Sequence, residues 1–584
     1  MGLGTGIRLG AATLAALVLI VTGCGKATPT PVSSTTTSVS PTSTLATTTS
    51  GAASTAVSGT TSTTSKPTAT TATPSTATGA PFGELRVVLS SMAGEVLYPT
   101  ALTCAGRQDL LSPMFDTLFN LDGSKIAPGV VERWEASPDG LTWTYYIRKG
   151  IKFHDGSELT ATDVKFSIED STRDRFTTVM KDTLARVDVL DTYSIRIVTK
   201  FSEPFFQFLS SFYCPNFSLV IPKATYERNG YDAFVGKPVG SGPWRFARRV
   251  PGDMIQFEAN ANYWGQVPAF KSLSTILAPE ESTRIAMLRT GAGDMADVSV
   301  EGAVSLESAG LRSVGMNPVS IGVELLGAYE SKAAGMPISD ARVRQALSLA
   351  INRNDIIKTL FSGKAIPSAP VWMSEIHEEN VDIAYWLDQA AKVYNRYDLS
   401  AAKQLLQAAG YASGFSIKLT AFPVGGSVSL PKLAEVVQGY WKAIGVNAEI
   451  IPVSDYGTIR PYVNVLQSDR MIGQAMAFRA TTRPNTPDFL NAYLHSTKGS
   501  QALLGKAFPE LDRLLDVART EINTAKRKAT IDQIIKMAAD TNVILTVAQV
   551  PAMVGLGSEV DDAGFLNSRT AHILQYANRM KHRK

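Results

Sequence analysis

His154-Asp155 is the first pair in the sequence whose residue types could do acid–base chemistry, since an imidazole titrates near neutrality and an adjoining carboxylate can orient it. The pair lies inside SPDGLTWTYYIRKGIKFHDGSELTATDVKFSIED, Ser137 to Asp170. Three other sets of residues raise the same question. Gly240-Ser241-Gly242 has the look of a nucleophile elbow, but Val239 stands two before Ser241, so the G-x-S-x-G pattern fails. Gly291-Ala292-Gly293-Asp294 lacks the third glycine of a dinucleotide fingerprint. The histidines, at 154, 377, 495, 572 and 582, include no pair at metal-ligand spacing, and Cys104 and Cys214 have no third ligand nearby in the chain. Neither a catalytic residue, a metal nor a cofactor is expected. A Ser-His-Asp set can still be assembled from remote positions, so a hydrolase stands as an alternative.

The elements around His154 decide its meaning. Pro138-Asp139-Gly140 is turn chemistry, and LTWTYYIR then alternates Leu141, Trp143, Tyr145 and Ile147 against Thr142, Thr144, Tyr146 and Arg148, which predicts a half-buried strand. Lys149-Gly150 turns the chain, Ile151 to Phe153 is read as a short second strand, and His154-Asp155-Gly156 turns it again. Thr160 with Asp163 reads as a carboxylate capping box for a helix that buries Val164 and Ile168. His154 and Asp155 therefore fall at a hairpin end. Further along, Asn352 and Asp355 start a capped helix that Ser362-Gly363 stops. Phe415 to Phe422 alternates as a strand; Leu433, Val436, Val437, Tyr440 and Ile444 follow at helical spacing; Gly445 ends that helix and VNAEIIPV is a second strand. This βαβ order predicts a parallel pair with a right-handed crossover in an α/β fold, with any ligand beyond the strand ends.

The hairpin, HDG turn and capped helix together carry a resemblance. APGVVERWEASPDGLTWTYYIRKGIKFHDGSELTATDVKFSIED closely resembles the signature region of the bacterial extracellular solute-binding proteins of family 5, the dipeptide, oligopeptide and nickel receptors of ABC importers. PVGSGPWRF (Pro238–Phe246), NANYWG (Asn260–Gly265), SDARVRQALSLAINRNDII (Ser339–Ile357) and DLSAAKQLLQAAGY (Asp398–Tyr411) match the family in its own order. The resemblance runs from about Phe82 to the C-terminus. It implies a two-lobed periplasmic-binding-protein fold of type II, in the large three-subdomain variety, with a hinge and an interlobe ligand cleft. One lobe would hold residues 82–279 and 548–584, with an outer subdomain inserted at about 126–199, and the other 280–547. His154 is then scaffold. The implied partners are a small-molecule solute and ABC permease subunits, with the receptor acting as a monomer.

Composition agrees with that class. The chain has 584 residues, 44% hydrophobic and 18% charged, and a formal net charge of +4, ordinary globular usage with room for several domains. Apart from Arg579, Lys581, Arg583 and Lys584 no basic stripe is present, so nucleic acid is not an expected partner. Arg8 precedes the apolar run Ala11 to Thr22, the length of a signal-peptide core. Val21-Thr22-Gly23-Cys24 resembles a bacterial lipobox, which makes Cys24 the lipidation residue and places the protein on the outer face of the cell membrane; an uncleaved anchor is the rival reading, and both export the chain. Residues 25–81 are read as a disordered tether rich in Ser, Thr and Pro. Cys104 and Cys214, left over in an exported protein, are either a disulfide or two free thiols.

Solute choice is read from one departure. Peptide-binding members of the family place a carboxylate in an Ala-Asp-Tyr-like segment before a Pro-Asp-Phe-like one. Here Pro487-Asp488-Phe489 matches the latter, but Phe478-Arg479-Ala480-Thr481 stands where the acid would lie. Arg479 or Arg483 could grip a carboxylate bidentately, or both arginines face solvent. Tyr98 and Trp372 are candidate cleft aromatics, with ordinary packing as the alternative. The ligand-binding candidates are therefore Tyr98, Arg107, Trp372, Phe478, Arg479, Thr481 and Arg483. A peptide-like or other small organic solute is expected, with sugars, oligosaccharides and chelated metals as alternatives, and a hydrolase or a sensory or adhesion protein as the readings from other classes.

Overall fold

Alternation in β1 (Glu84–Leu89) sends Leu85, Val87 and Leu89 into one core and Val88 into another, the period-two geometry by which a central strand serves both faces of a sheet. The computed structural model describes residues 80–92, 95–101, 110–122, 125–173, 179–209, 219–423, 429–453, 459, 469–480, 485–497, 504, 507–562, 564, 566, 573–574 and 577–583. Cys24, Cys104, Arg107, Cys214, Thr481 and Arg483 lie outside them, as does the segment read as a tether up to residue 79.

After β1 the chain builds a separate layer. The hairpin of β2 (Phe119–Asp122) and β3 (Lys125–Pro128) leads to β4 (Val131–Ala136), β5 (Thr142–Ile147), helix α1 (Ala161–Asp170), β6 (Leu184–Asp191) and β7 (Ser194–Thr199). These last four strands form an antiparallel sheet in the order β4-β5-β7-β6. Trp143, Tyr145 and Ile147 point inward from β5 and meet Val164 and Ile168 of α1 in a core of their own. Thr160 N–H and Oγ1 both bond Asp163 Oδ2 at 2.9 Å, so the capping box forms as read. The short strand expected at Ile151–Phe153 does not form. Gly150 (φ +79°) and Gly156 (φ +89°) close turns on both sides, and the interval accommodates only a single Lys152–Glu158 bridge.

The chain then returns through α2 (Lys223–Gly236) to β8 (Trp244–Val250), β9 (Met254–Ala259) and β10 (Ser272–Leu277), the last parallel to β1. Helix α3 (Glu281–Thr290), β11 (Met295–Val298) and α4 (Val300–Ser308) follow, and β11 pairs with the other edge of β1. β11 thus pairs with β1, while Leu288, Val300, Ala303 and Leu306 around it pack into the central core.

From β12 (Arg312–Leu325) the chain enters its second half, with α5 (Arg353–Thr359), the two-residue β13 (Ile366–Pro367), β14 (Phe415–Ala421), α6 (Leu430–Lys442), β15 (Val446–Pro452), β16 (Ala475–Arg479), α7 (Thr486–Leu494), α8 (Pro509–Thr520), α9 (Thr524–Asp540) and β17 (Ile544–Leu556). β14 and β15 pair in parallel as the βαβ reading requires. α5 starts on Asn352, whose Oδ1 accepts from Asp355 N–H, and the chain turns away through left-handed Ser362 and Gly363. One sheet joins the halves in the order β15-β14-β16-β12-β17-β11-β1-β10-β9-β8, with β13 laid on β17.

β12 and β17 run antiparallel along most of their length, with register shifts at Met316/Pro318 and Ile321/Gly322. Pro318 stands opposite Pro551, so neither residue can donate to the ladder there. On one face of the ladder the core changes over at that point, while Met553, on the other face, belongs to the central core on the near side as well. Val314, Met316, Ala552 and Val554 belong to the N-terminal core, whereas Val319, Ile321, Val323, Val547 and Val550 belong to the central one. Deeper in the central core, a Cβ at Gly322 would fall 2.2 Å from the Leu545 carbonyl oxygen and 2.9 Å from the Trp372 ring. Gly322→Ala is therefore expected to lower stability by about 1–3 kcal/mol through overpacking, read as a lowered urea midpoint; an unchanged midpoint would show that the contact relaxes without cost.

Candidate functional site

His154 is bound at both ring nitrogens to the Gly240–Gly242 backbone. Gly240 N–H donates to Nδ1 at 3.3 Å, which leaves Nε2 protonated and donating to the Gly242 carbonyl at 3.0 Å. Burial lowers the imidazole pKa to about 4, with Arg245 adding to the effect, so the ring is neutral. Asp155 turns elsewhere: it accepts from Ser157 N–H and Oγ and from Thr225 Oγ1. Burial works to raise its pKa, but these bonds outweigh it and hold the group below the usual carboxylate range. The two side chains do not form a dyad.

The same place gathers two more of the sequence motifs. Asn260 Nδ2 donates to the Gly242 carbonyl at 3.2 Å, and Tyr263 and Trp264 each donate to Asp116 at 2.7 Å. Burial pushes Asp116 up to about 6 against the pull of Trp264, Tyr263 and Ser241. Ser241 is itself fully buried. Cβ atoms at Gly240 and Gly242 would lie 2.0 Å and 2.7 Å from the Met114 carbonyl oxygen, so both glycines are required where this loop crosses Met114. The HDG turn, the GSG loop and the NANYWG segment are thus one interlocked polar scaffold.

The cleft candidates separate into two groups. Tyr98 is buried in the N-terminal core, donates to Asp170 at 2.8 Å, and packs on Tyr226, Tyr231 and Phe234. Trp372 lies in the central core, where it and Val371 adopt left-handed φ values of +62° and +55°, a conformation uncommon for bulky or β-branched residues. Its ring covers Gly322, and Gly322 pairs across the ladder with Phe478. Trp372 and Phe478 therefore share a face of the sheet, and Phe478 continues to Tyr493, Phe489 and His377 through ring contacts of 6.3, 4.9 and 4.8 Å. Arg479 follows Phe478 opposite Ile321 and takes the other face by strand alternation. Glu324, fully buried on β12, is held well above the usual carboxylate range by burial, an effect partly offset by Trp372.

A second polar site was not anticipated. Phe201 to Phe205, just after β7, meets α8 and α9 across a seam. Glu203 is 1% exposed, and its Oε2 lies 3.4 Å from Arg519 Nε. Arg519 also donates to Thr183 Oγ1 at 2.8 Å and lies 4.6 Å from the centre of the Phe201 ring. Arg527 lies 4.6 Å from the Phe205 ring and donates to Asn380. Burial pushes Glu203 up to about 7; Arg519 opposes the shift and Asp488 adds to it. The sequence carried one clue, an acid enclosed by aromatics in FSEPFF, but its cation stands 316 positions away. Among the described residues, no group of three or more His, Cys, Asp or Glu could hold a metal ion.

The model of bacterial extracellular solute-binding proteins, family 5 Middle, matches residues 125–501. The chain is 26% identical over 400 residues to the dipeptide-binding protein of Escherichia coli (strain K12), covering 62% of this chain and 71% of that one. It is 29% identical over 355 residues to the glutathione-binding protein GsiB of Salmonella choleraesuis (strain SC-B67), covering 59% of this chain and 64% of that relative, so it spans just under two thirds of the latter's length. Among solved structures, the ABC transporter-associated periplasmic binding protein DppA from Helicobacter pylori, in complex with the peptide STSA, superposes with a TM-score of 0.67 at 22% identity over 86% of this chain and 98% of that one.

The scaffold geometry fixes a pH response. His154 has an ordinary pKa of 6.5 when unfolded and about 4 when folded, so the unfolded chain binds the extra proton and stability is lost as the pH falls from 6.5 through 4. The loss is expected to be about 2–3 kcal/mol. In denaturant titrations at pH 7 and pH 4, His154→Gln should flatten that part of the wild-type difference; an identical pH dependence in the two proteins would contradict the assignment.

Proposed function

Because the chain belongs to the bacterial extracellular solute-binding proteins of family 5, we propose that it is the receptor of an ABC importer, capturing a peptide-like or other small organic solute between two lobes and delivering it to a membrane permease without chemistry of its own. The observation that carries the reading beyond the family is the pair of long strands, β12 and β17, that on one face cross from one core to another at Pro318 and Pro551. We place the hinge there, at residues 316–319 and 550–552. A missing ladder bond between two packed bodies is where bending costs least. The lipobox reading anchors the mature chain through Cys24. Relatives named for dipeptides and glutathione make short peptides the first solutes to test.

Calorimetry of the full chain against dipeptides, glutathione, oligosaccharides and chelated metals should find a ligand that raises its melting temperature by mass action. Conversion of that ligand to product would overturn the receptor reading. For the ligand so found, Phe478→Ala should weaken binding about tenfold or more, as expected for one lost aromatic contact. Arg479→Ala should cost less, because the register turns Arg479 away from Trp372. The reverse order would assign solute recognition to the arginine.

The anchor is tested separately. Cys24→Ser should move the protein out of the membrane fraction or leave it as unprocessed precursor. A wild-type protein found wholly in the soluble fraction would remove the lipid anchor and leave the receptor reading intact.

A further inference from the structure

The receptor reading requires lobes that part and close, and the inference here rests on it. Glu203 is held by the outer layer: its N–H donates to the Gly140 carbonyl at 3.0 Å, and Trp143 Nε1 donates to its own carbonyl at 3.2 Å. Its carboxylate, however, faces across the seam. Arg519 approaches from α8, and Asp488, in the first turn of α7, bears on the same carboxylate. Arg527 of α9 lies on the ring of Phe205 two residues away. In the 137–141 turn, Asp139 is engaged by Ser137 Oγ and Leu141 N–H. Among the described residues Glu203 therefore meets the cation of Arg519 and the acid of Asp488 from the opposite body, in a place that water scarcely reaches.

We propose that closure of the lobes is coupled to uptake of one proton by Glu203, so that acid favours the closed seam and rising pH releases it. An ionised carboxylate shut into this seam loses its hydration and lies beside a second acid. Among the described residues Arg519 is the guanidinium opposing this, shared with Thr183 and Phe201, and Phe205 N–H adds one bond to Glu203 Oε1 at 3.3 Å. The net result in the closed seam is a carboxyl pushed up to about 7 from an ordinary 4.5. When the lobes part, water reaches the group and the ordinary value returns. The closed form thus binds the proton more tightly. Its advantage is complete below about 4.5 and is lost as the pH rises through about 7. A solute captured in an acidic surrounding would be held by a closed receptor, and a neutral one would favour opening.

Hydrogen exchange of the full chain, read at residues 200–209 at pH 5 and pH 8 and corrected for intrinsic rates, tests this. In the wild type these amides should be about tenfold or more better protected at pH 5, the size expected when a pKa moves by more than one unit. Glu203→Gln, a neutral amide of the same shape, should be equally protected at both pH values, at the level of the wild type in acid. Glu203→Arg sets two guanidinium groups against each other and should expose the segment at both. Circular dichroism establishes folding, and Arg519→Glu replaces Glu203→Arg if that variant does not fold. The proposal is overturned if Glu203→Gln keeps the wild-type pH dependence, or if the wild type shows none while the charge-repelling variant still opens the seam. If the charge-repelling variant also leaves the segment protected, the lobes do not part here, and the hinge of the receptor reading fails with the proposal.

Discussion

The antiparallel ladder between β12 and β17 is the constraint on which the remaining architecture depends. Two neighbouring strands must satisfy one core along part of their length and another beyond it, while keeping a common register with β11 at one end and β16 at the other. On one face the change of core falls at Pro318 and Pro551, where the ladder lacks two donors, and a second register shift follows at Ile321/Gly322. Hydrogen bonds on both sides hold the strands together, so the interruption weakens bending resistance without breaking the sheet. Everything else in the two halves is arranged on either side of that interruption.

Buried polar groups then divide into those that fix a scaffold and those that face another body. His154 and Asp116 are enclosed by partners of the opposite hydrogen-bonding type: carbonyl and N–H for the imidazole, phenol and indole for the carboxylate. Such groups join loops that have no apolar means of holding each other, and leaving one partner unmade would cost about 1–3 kcal/mol. Glu203 is different because its counterparts sit on α7 and α8, separated from it by about half the chain. Its environment exists only while the two surfaces touch, which makes it sensitive to their separation in a way that His154 is not. The belonging of the chain to a solute-binding family gives that sensitivity a use.

Several features were legible in the residues alone because they depend on neighbours close in sequence. The Thr160–Asp163 box, the Asn352 cap, the left-handed stop at Ser362-Gly363, the alternation of β5 and the parallel β14–β15 unit all arise from contacts a few residues apart or from a face repeated every second or fourth position. Ile151–Phe153 has the apolar pattern of a strand, yet the turns on either side leave it no length to pair. The motifs PVGSGPWRF and NANYWG were visible as motifs, but not that they close on His154 and Asp116.

The sequence by itself determined the α/β class, the family and the turn-like character of the HDG segment, since these follow from local spacing and from motifs in order. Only the tertiary structure decided which face each cleft candidate takes. Phe478 and Arg479 are adjacent in the chain, and a one-residue change in register between β12 and β16 would exchange their roles. It also decided that Glu203 meets Arg519. No local pattern selects a partner 316 residues away, because that choice is made by how the sheet orders its strands and which helices the order brings to the seam.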